Sequence, residues 1–285
     1  MPRPSTLPLL AALILALGLP AALAGLLWTG EPPPLPEVTS VRGEAVTLYG
    51  LGVYRYNPLM LGAGFPPQDV VLLLALAVLG WGMVLRLQGR RRAHVVLLAA
   101  LGYLWYVYVS MALGAALDWL FPAYVALFSA SSFALWVAGS EAMDRIGAPS
   151  DAHRGLTAFL LLAGLATFAI WAPSIVADLA AGRTPARLDT QTTKVTHAID
   201  LGLIVPLCLV AASCVRRRLA AGHVLAWPLL GCIVGLFPWI VLATLFQIRA
   251  GVDFTTAEAI GPIGGFAVLG LGGAWFLWRA WRGMR

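Results

Sequence analysis

The sequence predicts an all-α, polytopic transmembrane helix bundle with a small outer loop cap, and three observations carry that prediction. Apolar residues make up 60% of the 285-residue chain and charged residues only 11%, well below the roughly 25% of a soluble domain. The apolar residues fall in long runs. The arginines fall in short clusters between those runs, which is the pattern of membrane topology. A net charge of +6 would suit nucleic acid if it were gathered on one face; its scatter over the turns between apolar runs excludes that class.

A helix needs about 20 apolar residues to cross the hydrocarbon core. Eight runs qualify, at 7–28, 70–88, 95–117, 120–140, 156–179, 198–215, 224–248 and 260–278. Isolated strands would leave backbone groups unpaired in lipid, so these runs are helices. Pro20, Pro173, Pro206, Pro228 and Pro238 lie within them and mark kinks rather than ends. The whole of 1–285 reads as one integral membrane domain.

Orientation follows from the basic residues. With the N-terminus inside, the inner turns hold Arg3, Arg86, Arg90, Arg91, Arg92, Arg145, Arg154, Arg216, Arg217, Arg218, Arg279, Arg282 and Arg285. Only Glu141, Asp144 and Asp151 accompany them. Arg42, Arg55, Arg183, Arg187, Lys194 and Arg249 remain outside. The positive-inside rule then expects a bacterial inner-membrane protein with both termini cytoplasmic. Residues 1–24 also read as a signal peptide, with Ala22-Leu23-Ala24 before Gly25 as the cleavage site. The apolar run continues through Leu26, Leu27 and Trp28, which favours a retained helix. Cleavage would leave seven spans.

Residues 29–68 form the longest loop, on the outer side. It opens with Pro32-Pro33-Pro34-Leu35-Pro36, a stiff polyproline-like stretch. Glu44 to Tyr56 is rich in strand formers and predicts a small hairpin capping the bundle. Part of the sequence also reads as an internal repeat, against which stands the recurrence of arginine clusters in any polytopic protein. Asp69, the triple arginine at 90–92 and His94-Val95 are echoed by Asp200, the triple arginine at 216–218 and His223-Val224. Two four-helix halves of the same orientation would result, as in parallel-repeat transporters.

Polar groups within or at the ends of spans are the functional candidates. Asp69 opens span 2, Asp118 ends span 3, Asp178 ends span 5, Asp200 lies near the start of span 6 and Glu258 precedes span 8. These carboxylates ring the outer mouth, with Arg55 and Lys194 as partners. The competing reading is that acids at helix ends complement the helix dipole. His197 and Asp200 are three apart and share a helix face. That spacing suits a proton relay or acid–base pair, or simple capping. Tyr103, Tyr106 and Ser110 form a stripe on span 3, lining a pocket or packing a core, with Ser129, Ser131 and Ser132 as hydrogen-bond partners. Gly231 and Gly235, with the glycines of span 8, predict tight packing of spans 7 and 8.

Several chemistries lack their residues. Cys208, Cys214 and Cys232 sit in apolar runs without CxxC spacing, and there is no HExxH, so no metal site is expected. No Walker loop, GxSxG elbow or dinucleotide fingerprint occurs, so no cofactor and no particular catalytic residue is expected.

Leu48-Tyr49-Gly50-Leu51-Gly52-Val53-Tyr54-Arg55-Tyr56 with the later Gln68-Asp69, the run from Gly102 to Ala134, and Val195-Thr196-His197-Ala198-Ile199-Asp200-Leu201-Gly202 through Pro206 together carry a resemblance. They resemble an uncharacterised family of multi-span bacterial membrane proteins with an outer YRY-like loop and a His-x-x-Asp-Leu-Gly segment. The resemblance spans roughly residues 45 to 245. It implies a fold and no known activity, and it directs attention to Tyr54, Arg55, Tyr56, Gln68, Asp69, His197 and Asp200.

The leading functional expectation is a transporter or permease-like protein with an outer-facing polar vestibule. Its ligand site would draw on Tyr54, Arg55, Tyr56, Gln68, Asp69, Tyr103, Tyr106, Asp118, His197 and Asp200. Its partners would be the lipid bilayer, a small solute or ion, and a protein partner or second copy. The alternatives are a sensory or accessory subunit of a membrane complex, and a membrane-embedded enzyme acting on a lipid or quinone through His197 and Asp200.

Overall fold

The computed structural model describes residues 5–28, 30, 36–146, 153–185 and 187–284. Arg3, Thr29, residues 31–35 of the proline stretch, Asp151 and Arg285 lie outside the described residues. Among the described residues, eight helices are long and apolar enough to cross a membrane. The protein is an all-α, multi-pass membrane protein.

The spans are α1 (Leu7–Leu27), α2 (Leu59–Leu87), α3 (Ala93–Gly114), α4 (Phe121–Ile146), α5 (Arg154–Ala180), a sixth in three pieces, α8 (Ala220–Arg249) and α9 (Thr256–Gly283). The sixth comprises α6 (Val195–Ile199), a π turn (Asp200–Ile204) and α7 (Val205–Arg216). Proline explains the break. Pro206 has no N–H to offer the preceding turn, and the Val205 N–H reaches back five residues to the Asp200 carbonyl. Pro20, Pro173, Pro228 and Pro238 all lie inside helices.

Two expectations are corrected here. Span 2 begins at Leu59, not near position 70, and runs through Pro66 and Pro67. Pro66 and Pro67 deprive the Gly62 and Ala63 carbonyls of their helical donors, and side chains from α8 bond the carbonyls on either side: Trp239 Nε1 donates to Gly64 at 3.0 Å and Gln247 Nε2 to Met60 at 2.8 Å. Asp69 therefore sits inside a helix rather than at its mouth. The hairpin also forms earlier than expected. Strand β1 (Glu37–Thr39) pairs antiparallel with β2 (Ala45–Thr47), Val38 facing Val46. The glycines at 50 and 52 turn the chain after the hairpin instead of within it.

Packing follows the same order in both halves. In the first, α1 packs on α2, α2 on α3, α3 on α4, and α4 back on α1. In the second, α5 packs on α7, α7 on α8, α8 on α9, and α9 touches α5. The halves meet where α8 packs on α3 and α2, most closely where α3 crosses α8. Gly102 rests against the backbone of Pro228, and Gly231 against the backbone of Ala99. Ala99 and Gly102 stand to Pro228 and Gly231 at one constant offset along the chain, the offset that also relates His94 to His223. The crossing is thus near-symmetric in sequence as well as in space. Most of α3 is buried, more than of any other span.

The glycines of α8 are consequently not where the sequence reading put them. Gly231 and Gly235 face α3, the latter against the Tyr103 ring, and the close approach of α9 to α8 uses Gly270 and Gly273. A GxxxG pattern reveals that a helix has a close neighbour but not which one.

This geometry predicts that Gly231→Ala, which drives a methyl into the backbone of α3, lowers thermal stability in detergent, at a cost of about 1–3 kcal/mol. Gly264→Ala, which meets nothing within 4 Å, should leave the melting temperature unchanged or slightly raised. Equal effects of the two would contradict the crossing.

Candidate functional site

Most of the polar groups of interest lie at the end of the bundle that carries the hairpin and the loop between α5 and α6, here the loop end. The five carboxylates expected to ring this mouth divide into two kinds. Three close helix ends. Asp118 Oδ1 accepts from the Leu120 N–H at 2.7 Å, just before α4. Asp178 pairs with Arg183 at 3.1 Å. Glu258 completes a capping box with Thr255 at the start of α9 and pairs with Arg187 at 3.1 Å. Thr255-x-x-Glu258 is a sequence-level capping signature. Burial pushes the Asp118 carboxyl above the usual range, opposed by its hydrogen bonds from Leu120 and Phe121.

The other two are interior. Asp69 is only 2% exposed and accepts a 2.6 Å hydrogen bond from the Tyr54 hydroxyl. Tyr54 reaches it because Gly50 and Gly52 take positive φ of 75° and 55° and a short 3-10 turn then aims the ring inward. Asn57 fixes that turn, donating to the Tyr54 carbonyl at 3.1 Å and accepting from the Ala116 N–H at 2.7 Å. Burial first, and the Asp69 carboxylate second, raise the Tyr54 hydroxyl well above an ordinary tyrosine. Tyr54 is therefore a donor throughout the working pH range. The α1 helix closes the pair: a side chain at Gly25 would collide with Asp69 Oδ2 and the Tyr54 hydroxyl, and one at Gly18 with the Tyr108 hydroxyl.

Tyr103, Tyr108 and Tyr124 lie within electrostatic reach of Asp69. Their hydroxyls, and Gln68 Nε2, are buried without a hydrogen-bond partner among the described residues. Native interiors leave few such atoms, so their concentration around one carboxyl marks this as a polar interior rather than an ordinary core.

Asp200 opens the π turn on the other side of α3. Tyr106 donates to its Oδ1 and the Trp171 indole to its Oδ2, each at 3.0 Å. The His197 ring lies against Trp171 with centroids 4.0 Å apart, and its Nδ1 is 3.3 Å from the Thr196 hydroxyl. His197 and Asp200 thus meet at a shared indole and not by a hydrogen bond to each other. π turns recur at functional sites, and this one holds a carboxyl beside three aromatic rings.

At the same end lies a cavity of about 320 Å³, lined in part by Asn57, Gly114, Thr190, Gln191, Thr193 and Val195; Asp200 does not line it. Its wall is stitched together from distant segments. Gln191 Nε2 donates to the Gly114 carbonyl at 2.8 Å. Arg42, from the hairpin turn, donates to the carbonyls of Gln191 and Asp189. Val195 lies about 7–8 Å above Asp200 along the helix, at 1.5 Å per residue. Lys194 stands at this edge; burial lowers its ammonium below the usual range, opposed by Asp189.

The expected residues therefore form two clusters, one on each side of α3: Tyr54, Gln68, Asp69 and Tyr103; and Tyr106, His197 and Asp200. Arg55 and Tyr56 join neither. The Arg55 cation sits 5.0 Å over the Tyr56 ring and both are exposed, because the turn that sends Tyr54 inward sends its successors outward. Ser110 bonds back to the Tyr106 carbonyl, and Ser132 accepts from Trp105 rather than from a tyrosine. Trp171, Tyr108, Tyr124 and Gly25 were missed. Tyr108 was within the quoted aromatic run, but nothing in its spacing set it beside an acid from another span.

Tyr54→Phe leaves a buried acceptor unpaired and should lower stability by about 1–3 kcal/mol. Tyr108→Phe removes a hydroxyl that makes no hydrogen bond among the described residues and should cost well under that. Thermal unfolding of both variants in detergent checks the order; a reversal would show that Tyr54 does not hold Asp69. Comparison with known proteins adds no assignment to this geometry: no family model, no curated protein and no solved structure matches the chain.

Proposed function

We propose that the protein is a carrier of transporter or permease type that takes a small cation or amine-bearing solute from a vestibule at its loop end. The observation that carries this reading is Asp200. It is held by a phenol and an indole, and among the described residues it forms no ion pair. A carboxyl in a membrane span without a resident cation is a site awaiting a positive partner. Aromatic rings around it favour a cation further. The cavity at the same end reaches Val195, five residues before Asp200, and the repeated order of packing in the two halves resembles that of carriers built from parallel repeats. The loop end would face outward and the arginine-rich end the cytoplasm.

A continuous pore does not fit. Leu98, Leu101 and Leu104 are fully buried on α3, and the backbone contacts at Gly102 and Gly231 lie on the far side of Tyr106 from the cavity. Closure by leucine below Tyr106 counts against an open transport route, so the carrier reading requires a second state in which these side chains part. A loop-side binding or sensory subunit, the second reading, needs no such opening. The enzyme reading has less support, since among the described residues His197 and Asp200 make no hydrogen bond to each other.

In thermal-shift measurements on the purified full chain, sodium, potassium or choline should raise the melting temperature. Asp200→Asn should weaken that response about tenfold or more in apparent affinity, the scale of one lost charged hydrogen bond. Arg55→Ala should leave it intact. Flux of the stabilising cation into proteoliposomes identifies a carrier. Binding without flux points to the subunit reading, and no response to any cation removes Asp200 as a ligand site.

A further inference from the structure

We infer that the arginine-rich end carries a built site for a phosphate group, between the C-terminal turn of α2, the start of α3 and the end of α4. The observation is a second cavity, of about 190 Å³, lined by Arg86, Gly89, Arg90, Ala93, His94, Glu141 and Arg145. This inference stands independently of the loop-end site and of any transport role.

The lining has a floor and a rim. At the floor, Arg86 grips Glu141 with both forks, Nε to Oε2 at 3.0 Å and one terminal nitrogen to Oε1 at 2.9 Å. Both side chains are about one-fifth exposed. That ion pair neutralises itself, ties α2 to α4 and fixes the shape of the floor. His94 forms an adjoining wall, only 5% exposed, and its ring makes no hydrogen bond among the described residues. At the rim stand Arg90 and Arg145, both exposed and in no ion pair among the described residues. Gly89, with φ of 68°, lets the chain turn tightly past the opening.

The charge balance decides the ligand. Three arginines against one glutamate leave two positive charges facing one small cavity, beside an imidazole able to donate. Guanidinium forks match the tetrahedral oxygens of phosphate in pairs. A carboxylate would leave part of that donor set unused. The depth is that of a membrane interface: Arg86 lies in the last turn of α2, and its neighbours Val84 and Leu87 are exposed on the lipid-facing surface. The phosphate of an anionic phospholipid would reach the rim with its acyl chains along α2. Basic recesses between helices at such interfaces bind anionic headgroups. Free phosphate shares the same chemistry, and the experiment separates the two.

The test uses the purified full chain, exchanged into phosphatidylcholine nanodiscs or into phosphatidylcholine doped with phosphatidylglycerol, with retained lipid counted by native mass spectrometry. Inorganic phosphate is titrated in parallel by thermal shift. Wild type should retain phosphatidylglycerol. The double variant Arg90→Gln with Arg145→Gln, both at exposed positions outside the packed core, should lose about thirtyfold in retention, the effect of removing two interfacial charges. The control, Arg217→Gln with Arg218→Gln, removes the same charge from the other arginine cluster and should retain lipid as wild type does. Stabilisation by inorganic phosphate that disappears in the rim variant, without lipid selectivity, assigns the site to a soluble phosphate. Equal losses in the rim and control variants would show diffuse attraction to an anionic surface and overturn the site. So would the absence of any response to both probes.

Discussion

Every other feature of the bundle is arranged around the backbone-close crossing of α3 and α8. Helices in lipid gain nothing from excluding water, so they associate by close packing and by polar contacts. Here Gly102 and Gly231 admit the opposing backbone on each side of the contact. Together with α2 and α4, α8 buries most of α3, and the crossing divides the remaining spans into two groups. It also gives α3 two faces, each presenting a tyrosine to an acid from a different half: Tyr108 toward Asp69 and Tyr106 toward Asp200. The separation of the two interior carboxyls is a direct result.

The solvent explains the different fates of the acids. At the helix ends, water and backbone N–H groups stabilise a carboxylate, and Asp118, Asp178 and Glu258 behave as caps or surface ion pairs. Deeper in, no such solvation exists, and a carboxyl needs donors from the protein itself. Tyr54, Tyr106 and Trp171 serve that need. Each brings an apolar ring that packs like core and one polar atom that bonds, the combination suited to the depth of a membrane.

Much of the fold was legible because its determinant, the length of apolar runs between arginines, is local. All eight spans lie where the runs do. Boundaries failed where tertiary packing overrode local grammar: α2 continues through Pro66-Pro67 with its first turns packed and hydrogen-bonded against α8, and no reading of residues 59 to 70 contains α8. The site was half legible. Asp69, Asp200 and Tyr106 stood out as polar groups in apolar surroundings. Their pairing did not, since the sense in which Tyr54 and Arg55 diverge is set by two positive-φ glycines, and Trp171 looks like any interfacial tryptophan until Asp200 is placed beside it. The capping box at Thr255 and Glu258 was written in the sequence, and it accounts for an acid otherwise counted toward the mouth.

The π turn at Asp200 has a mechanical corollary. Such a turn holds one surplus residue within an otherwise regular coil, and Pro206, lacking an N–H, pins that surplus in place. One residue turns a side chain by about 100° around the axis, so the surplus sets the angle at which the first part of span 6 presents its side chains relative to α7. With that rotation the carboxyl meets the Trp171 indole and the Tyr106 phenol.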